Sequence, residues 1–142
     1  MARILLVEDN PGDAQLVRLA LSEALPSARL SVAGDGEAAL ARLHEAGDPP
    51  DLMLLDLNLP RLSGHEVLEA VRTSEDAALR RLPVVVLSSS HAEGDVTRSY
   101  ELGASSHVAK PPDVDELFDL VATIARYWFG TVTLPGGTAP RR

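Results

Sequence analysis

The chain contains no cysteine in 142 residues. Disulfide staples and thiolate zinc sites are thereby excluded, and the composition fits a reducing compartment. No apolar run is long enough to span a bilayer. The opening Met-Ala-Arg-Ile-Leu-Leu-Val is too short in its apolar part for a secretory leader. Glu8 and Asp9 follow it where small cleavage-site residues would stand. A cytoplasmic protein with no membrane contact is expected. A basic stripe is also missing, and the formal charge is −8. Such a surface repels nucleic-acid phosphates, so no nucleic-acid partner is expected. No internal repeat and no second domain are visible, and the length fits one domain. What is present is an apolar fraction of 45%, enough for a packed core and too much for a disordered chain.

Short apolar runs alternate with longer amphipathic ones. Ile4 to Val7 predicts a strand buried on both faces. Asn10-Pro11-Gly12-Asp13 breaks it, and Asp13 is a candidate helix cap. Leu16, Val17, Ala20, Leu21 and Ala24 then recur at helical spacing up to Pro26. Leu30 and Val32 suggest a less apolar second strand. Ala39, Leu40, Leu43 and Ala46 mark a second helix, stopped by Gly47 and Pro49-Pro50. Leu52 to Leu55 predicts a third strand, and Val67, Leu68 and Val71 a third helix. Val84 to Leu87 is the most β-branched run and the clearest strand. A helix over about Asp95 to Leu102 follows, then a short strand at Val108 and Ala109. The last helix carries Val114, Leu117, Phe118, Val121, Ile124, Ala125 and Trp128 on one stripe. Strand–helix alternation of this kind predicts an α/β fold: a flavodoxin-like, doubly wound, five-stranded parallel sheet, (βα)5. Residues 1–128 are expected to form the domain. Residues 129–142 would form a C-terminal extension, a candidate dimerisation arm followed by a loose Pro- and Gly-rich tail from about Leu134.

Ligands of open parallel sheets bind outside the carboxyl ends of the strands. There this chain places Glu8 and Asp9 after the first strand, Asp56 after the third, Ser88 after the fourth and Lys110 after the fifth. Each alone has a plain explanation as a cap, a turn or a solvated charge. Together they are harder to dismiss. Three carboxylates in one crevice repel, and a hard divalent cation with oxygen ligands relieves the repulsion. Lys110 adds a fixed positive charge and Ser88 a hydroxyl donor. The set suits phosphoryl chemistry, in which a carboxylate attacks in line and cations hold the equatorial oxygens.

At these residues the chain resembles the response-regulator receiver family, which includes the chemotaxis receiver. The shared stretches are Ile4-Leu5-Leu6-Val7-Glu8-Asp9-Asn10, then Asp51 through Pro60, Ser63 through Leu68, Leu82 through Ser88, Gly103-Ala104 and Lys110-Pro111. They run in family order from about Ala2 to Tyr127. The resemblance implies that Asp56 is the phosphoacceptor, forming an acyl phosphate. Glu8, Asp9, Asp56 and the backbone carbonyl of Asn58 would bind Mg²⁺ or Mn²⁺. Lys110 would pair with the phosphoryl group. Ser88 would turn toward it and move the following loop. Asn58 and Ser90 match positions that tune phosphoryl lifetime, and the Lys110–Pro111 bond would be cis. The chain departs from the family at His107, where Tyr or Phe is usual and serves as the switch residue. The plain alternative is a histidine exposed on an edge strand.

The last helix has more apolar surface than one sheet requires. Leu120, Tyr127, Trp128 and Phe129 are candidate homodimer residues; the alternative is a terminal plug folded back on the domain. The segment Trp128 to Pro135 resembles the tail of single-domain receivers paired with phytochrome-type histidine kinases. The expected function is thus a stand-alone response regulator. It would take its phosphoryl group from a sensor histidine kinase, be no enzyme beyond its own phosphorylation and dephosphorylation, and signal through a surface or dimerisation change. A small haloacid-dehalogenase-like phosphatase is the enzymatic alternative. It would need a general acid two residues after the nucleophile, and Asn58 has no carboxyl proton to give. A phosphorylation-independent binding module and a flavodoxin-like electron carrier are further alternatives. The acidic Glu8 to Asp13 loop disfavours the carrier, because a flavin phosphate needs donors there.

Overall fold

The computed structural model describes residues 2–45 and 49–135. Its elements run β1 (Arg3–Val7), α1 (Pro11–Ala24), β2 (Arg29–Ala33), α2 (Gly36–Glu45), β3 (Leu52–Leu55), α3 (Gly64–Arg72), α4 (Ala77–Arg80), β4 (Val84–Ser88), α5 (Glu93–Glu101), β5 (Ser106–Ala109) and α6 (Val114–Gly130). The strands form one parallel sheet in the order β2-β1-β3-β4-β5. The order reverses between β1 and β3, and a crevice opens there at the carboxyl ends.

Strand side chains alternate between the two faces, and the core divides accordingly. Ile4, Leu6, Leu52, Leu54, Val85 and Leu87 face Val17 and Leu21 of α1 and Leu117, Val121, Ile124 and Phe129 of α6. Leu5, Val7, Met53, Leu55 and Val84 face Ala39 and Leu43 of α2, Val67, Leu68 and Val71 of α3, and Leu79 of α4. Burial on both faces explains why β3 and β4 are continuous apolar runs, while the edge strand β2 is only partly covered.

The expected doubly wound sheet is present, and the local boundaries differ in instructive ways. Asn10, and not Asp13, caps α1: its side chain accepts the Asp13 N–H, and Pro11 takes the first helical position, where no N–H is needed. Asp13 is thereby left with a free carboxylate on the first turn. A sixth helix, α4, is held by Asp76 accepting the Ala78 N–H; four residues are too few for a periodic signal. Val114 is 47% exposed, off the stripe that its spacing suggested. Helix α6 continues through Phe129 and Gly130, and Phe129 and Leu134 are buried in the core. Ala46 and Gly47, read as the end of the second helix, lie outside the described residues, as does the tail beyond Pro135. The Lys110–Pro111 bond is trans, as are all described peptide bonds, in line with the intrinsic preference of X–Pro amides.

Candidate functional site

The crevice is assembled by backbone pairing at the strand ends. Asp56 N–H donates to the Val7 carbonyl at 3.0 Å, which draws the end of β3 against β1. Glu8 N–H donates to the Ala33 carbonyl at 3.0 Å and Lys110 N–H to the Ser88 carbonyl at 2.8 Å. These bonds bring Glu8, Asp56, Ser88 and Lys110 to one edge of the sheet. Carboxylate oxygens of Glu8, Asp9 and Asp56 all lie within 4.8 Å of one another. Glu8 and Asp56 are buried, at 4% and 7% exposure, whereas Asp9 is exposed to solvent.

Lys110 spans this cluster. Its ammonium donates to Glu8 Oε1 at 2.6 Å and to Asp13 Oδ2 at 3.3 Å, and stands 4.0 Å from Asp56 Oδ2. Burial pulls Lys110 downward, but the hydrogen bond and charge of Glu8, followed by the charges of Asp56 and Asp13, outweigh it and hold the ammonium above its ordinary value. Glu8 is pushed up to about 7, chiefly by burial and further by the charge of Asp56; its bonds to Lys110 and to the Asn10 N–H oppose the rise. The Lys110 shift reports the surrounding carboxylates, and the Glu8 shift chiefly the cost of burying a carboxylate. An all-oxygen donor set of this charge suits Mg²⁺ or Mn²⁺.

Behind Asp56, Ser63 and Glu66 form a reciprocal capping box at the start of α3. Gly64 N–H donates to the Leu57 carbonyl at 2.9 Å, so the helix start is pressed against the segment after Asp56. Asn58 is exposed, and its N–H approaches Asp56 Oδ1 at 3.4 Å. Ser88 is fully buried and its Oγ accepts the Ser90 N–H at 3.1 Å. Ser90 in turn donates its hydroxyl to the Asp95 carboxylate.

His107 is half-buried on the edge strand β5, and both ring nitrogens are engaged, with Ser99 Oγ at 2.9 Å and the Ser90 carbonyl at 3.1 Å. The alternative of an exposed, uncommitted histidine is thereby corrected: α5 packs on β5 and supplies Ser99, and the loop before α5 supplies the Ser90 carbonyl. Of the candidate dimer residues, Tyr127 is 51% exposed and Leu120 is half-buried. Trp128 is half-buried and edge-on to Tyr127, and Phe129 is committed to the protomer's own core.

Two contributors escaped the sequence reading. Asp13 was taken for a cap, yet the Asn10-Pro11 pair already provides the cap and frees it for Lys110. The cluster of Ser99 with His65 has no signal in sequence, since thirty-four positions separate the two residues.

Residues 4–122 match the family of response regulator receiver domains, and the chain belongs to it. Among its relatives is the response regulator Rcp1 of Synechocystis sp., 43% identical over 137 residues, which span 93% of this chain and 92% of the relative. The structure of the phosphorylated cyanobacterial phytochrome response regulator RcpA superposes with a TM-score of 0.88 at 39% identity, covering 94% of this chain and 98% of that one. The Mn²⁺-bound form of Rcp1 gives 0.87 at 42% identity, covering 95% and 99%. This chain is therefore a receiver domain similar to phytochrome response regulators. Among the described residues no helix is long and apolar enough to cross a membrane.

Proposed function

We propose that this receiver takes a phosphoryl group onto Asp56 from a phosphohistidine of a sensor histidine kinase, of phytochrome type. The observation that carries the reading is the buried Asp56 carboxylate set beside Glu8 and Asp9, with the Lys110 ammonium 4.0 Å away. A carboxylate oxygen of Asp56 attacks phosphorus, the bond from phosphorus to the leaving nitrogen breaks, and an acyl phosphate forms. Lys110 neutralises part of the charge gathered on the equatorial oxygens. Glu8, Asp9, Asp56 and the Asn58 carbonyl would hold a divalent cation, whose chemistry is to stabilise those same oxygens. The Mn²⁺-bound form of the similar Rcp1 supports a divalent-cation site. Ser88 is the hydroxyl that would turn toward the bound phosphoryl, and Asn58 and Ser90 would tune the lifetime of the acyl phosphate.

The phytochrome pairing is supported by the likeness to RcpA along the whole domain. A homodimer through the exposed side of α6, around Leu120, Tyr127 and the edge of Trp128, is the accompanying proposal, with phosphorylation read out as a change at that face. Catalysis is limited to the domain's own phosphorylation and dephosphorylation, because Asn58 stands where a phosphatase of the same chemistry needs an acid.

Incubation with Mg²⁺ and acetyl phosphate followed by intact mass measurement tests the acceptor. A phosphoryl adduct is expected that requires Mg²⁺ and is lost in Asp56→Asn. An adduct that persists in Asp56→Asn refutes the assignment.

A further inference from the structure

Behind the crevice lies a buried polar cluster that the phosphoryl chemistry does not use. Ser99 of α5 is completely buried. Its Oγ lies within hydrogen-bond reach of three groups: the Asp95 carbonyl at 3.0 Å, His107 Nδ1 at 2.9 Å and His65 Nε2 at 3.1 Å. His107 Nε2 faces the Ser90 carbonyl at 3.1 Å. Ser90 also donates its N–H to Ser88 Oγ at 3.1 Å. A continuous chain of hydrogen bonds therefore joins Ser88 to helices α5 and α3.

The protons in this chain can be counted. A carbonyl only accepts, and a serine hydroxyl has one proton. When that proton goes to Asp95, both imidazoles must donate to Ser99. His107 then donates from Nδ1 to Ser99 and from Nε2 to Ser90, which only the imidazolium can do. A neutral His107 must either take the hydroxyl proton away from Asp95 or turn a lone pair on the Ser90 carbonyl. Each neutral tautomer forfeits one bond of the set.

We infer that His107 is a positioning residue for the phosphoryl switch: its protonated form, seated on Ser99, holds the Ser90 loop in the observed position, so that proton uptake at His107 and phosphoryl capture oppose each other. This rests on Asp56 and Ser88 acting as proposed above. When Ser88 Oγ turns toward a phosphoryl group it carries the Ser90 N–H partner with it, and the Ser90 carbonyl leaves His107. The ring then loses the acceptor that requires its second proton. By linkage, a proton released on phosphoryl binding means that acid weakens phosphoryl binding by the same factor. The titratable groups packed around the ring are His65 from α3 and, from α5, Asp95, whose carboxylate accepts the Ser90 hydroxyl, and Tyr100, whose hydroxyl accepts the His107 N–H at 3.2 Å. Just after β5, Lys110 is committed to Glu8.

The test is the affinity of the full chain for beryllofluoride in saturating Mg²⁺, measured at pH 6 and pH 8. Protonation of the carboxylates weakens binding at low pH in every variant, so the readout is the difference between variants. The loss on acidification is expected to be about fivefold larger in the wild type than in His107→Gln, the equivalent of one hydrogen bond. Ser99→Ala, which removes the shared hydroxyl and leaves His107 in place, is expected to shrink the excess as well. By NMR, the His107 ring should titrate at lower pH in the beryllofluoride complex than in the free protein. Equal acid sensitivity in all three proteins, or a His107 titration unmoved by beryllofluoride, would overturn the inference and leave the receiver reading intact. Failure of the wild type to bind beryllofluoride at either pH would overturn both.

Discussion

Gly64→Ala isolates how finely Asp56, the proposed phosphoacceptor, is placed. A Cβ at Gly64 would lie 2.2 Å from the Asp56 carbonyl oxygen and 2.7 Å from Leu57 Cα, both backbone atoms that cannot swing aside. Ordinary contact begins near 3.4 Å, so α3 and the end of β3 must separate by about 1 Å, a displacement that typically costs on the order of 100-fold where reacting groups are held in register. Overpacking of this kind also costs about 1–3 kcal/mol of stability. Gly36→Ala is the matched comparator: its Cβ would meet the Leu62 carbonyl oxygen at 2.5 Å, a similar overlap away from Asp56. Phosphorylation by acetyl phosphate in saturating Mg²⁺, followed by intact mass well below the melting temperature, reads the two effects apart. Gly64→Ala is expected to lose at least about tenfold in rate, and Gly36→Ala to lose stability with far less change in rate. A folded Gly64→Ala that is phosphorylated at the wild-type rate, or a Gly36→Ala equally slowed, would refute the reasoning.

Other consequences can be checked in the same protein. Glu8 titrates near 7 in the folded chain against an ordinary 4.5; the folded state therefore binds more protons between those values. In EDTA, stability should fall as pH rises through that window, by up to about 3 kcal/mol from this group. Denaturant melts should show a flatter profile in Glu8→Gln, and an unchanged slope would count against the shift. Asp9→Ala should weaken Mg²⁺ binding by roughly tenfold or more through loss of a charged ligand, whereas Lys110→Ala should leave it unchanged or tighter, because Lys110 competes for Glu8; isothermal titration with comparable losses in both would contradict that division. Leu120→Arg with Tyr127→Glu should yield monomers by light scattering if α6 forms the proposed dimer, and an unaltered mass would exclude that face. Truncation after Tyr127 is the poorer test, since it strips Phe129 and Leu134 from the core.

How much could be read beforehand depended on the range of the interactions. Strands buried on both faces announce themselves as unbroken apolar runs, and Ile4 to Val7, Leu52 to Leu55 and Val84 to Leu87 each became a strand of the sheet. The candidate site was legible for the same reason: a parallel sheet delivers whatever follows each strand to one edge, so the positions of Glu8, Asp56, Ser88 and Lys110 followed from topology alone. What could not be read was side-chain direction. Asp13 was read as the cap of the first helix, and the structure gives that role to Asn10, with Pro11 at the first helical position. Trp128 and Phe129 are neighbours in sequence, and the helix turns one partly outward and buries the other. His107 carried no signal of its bond to Ser99, since the meeting of β5 and α5 is a tertiary event.

The same geometry constrains how the proposed chemistry proceeds. Three carboxylates, those of Glu8, Asp13 and Asp56, share one ammonium, and that ammonium is bound most closely to Glu8, at 2.6 Å against 4.0 Å for Asp56. Two of the three Lys110 ammonium protons go to Glu8 and Asp13, which leaves one for an oxygen on a phosphoryl group carried by Asp56; to move fully onto that group Lys110 would have to exchange Glu8 for it. On the proposed reading, the exchange is favourable only when Glu8 is compensated in some other way, because a buried carboxylate stripped of its partner is strongly destabilised. A divalent cation on Glu8 and Asp9 would supply that compensation. The metal would then act in two ways, on the charge of the phosphoryl oxygens and on the release of Lys110. The buried Glu8 is the residue through which the second would act.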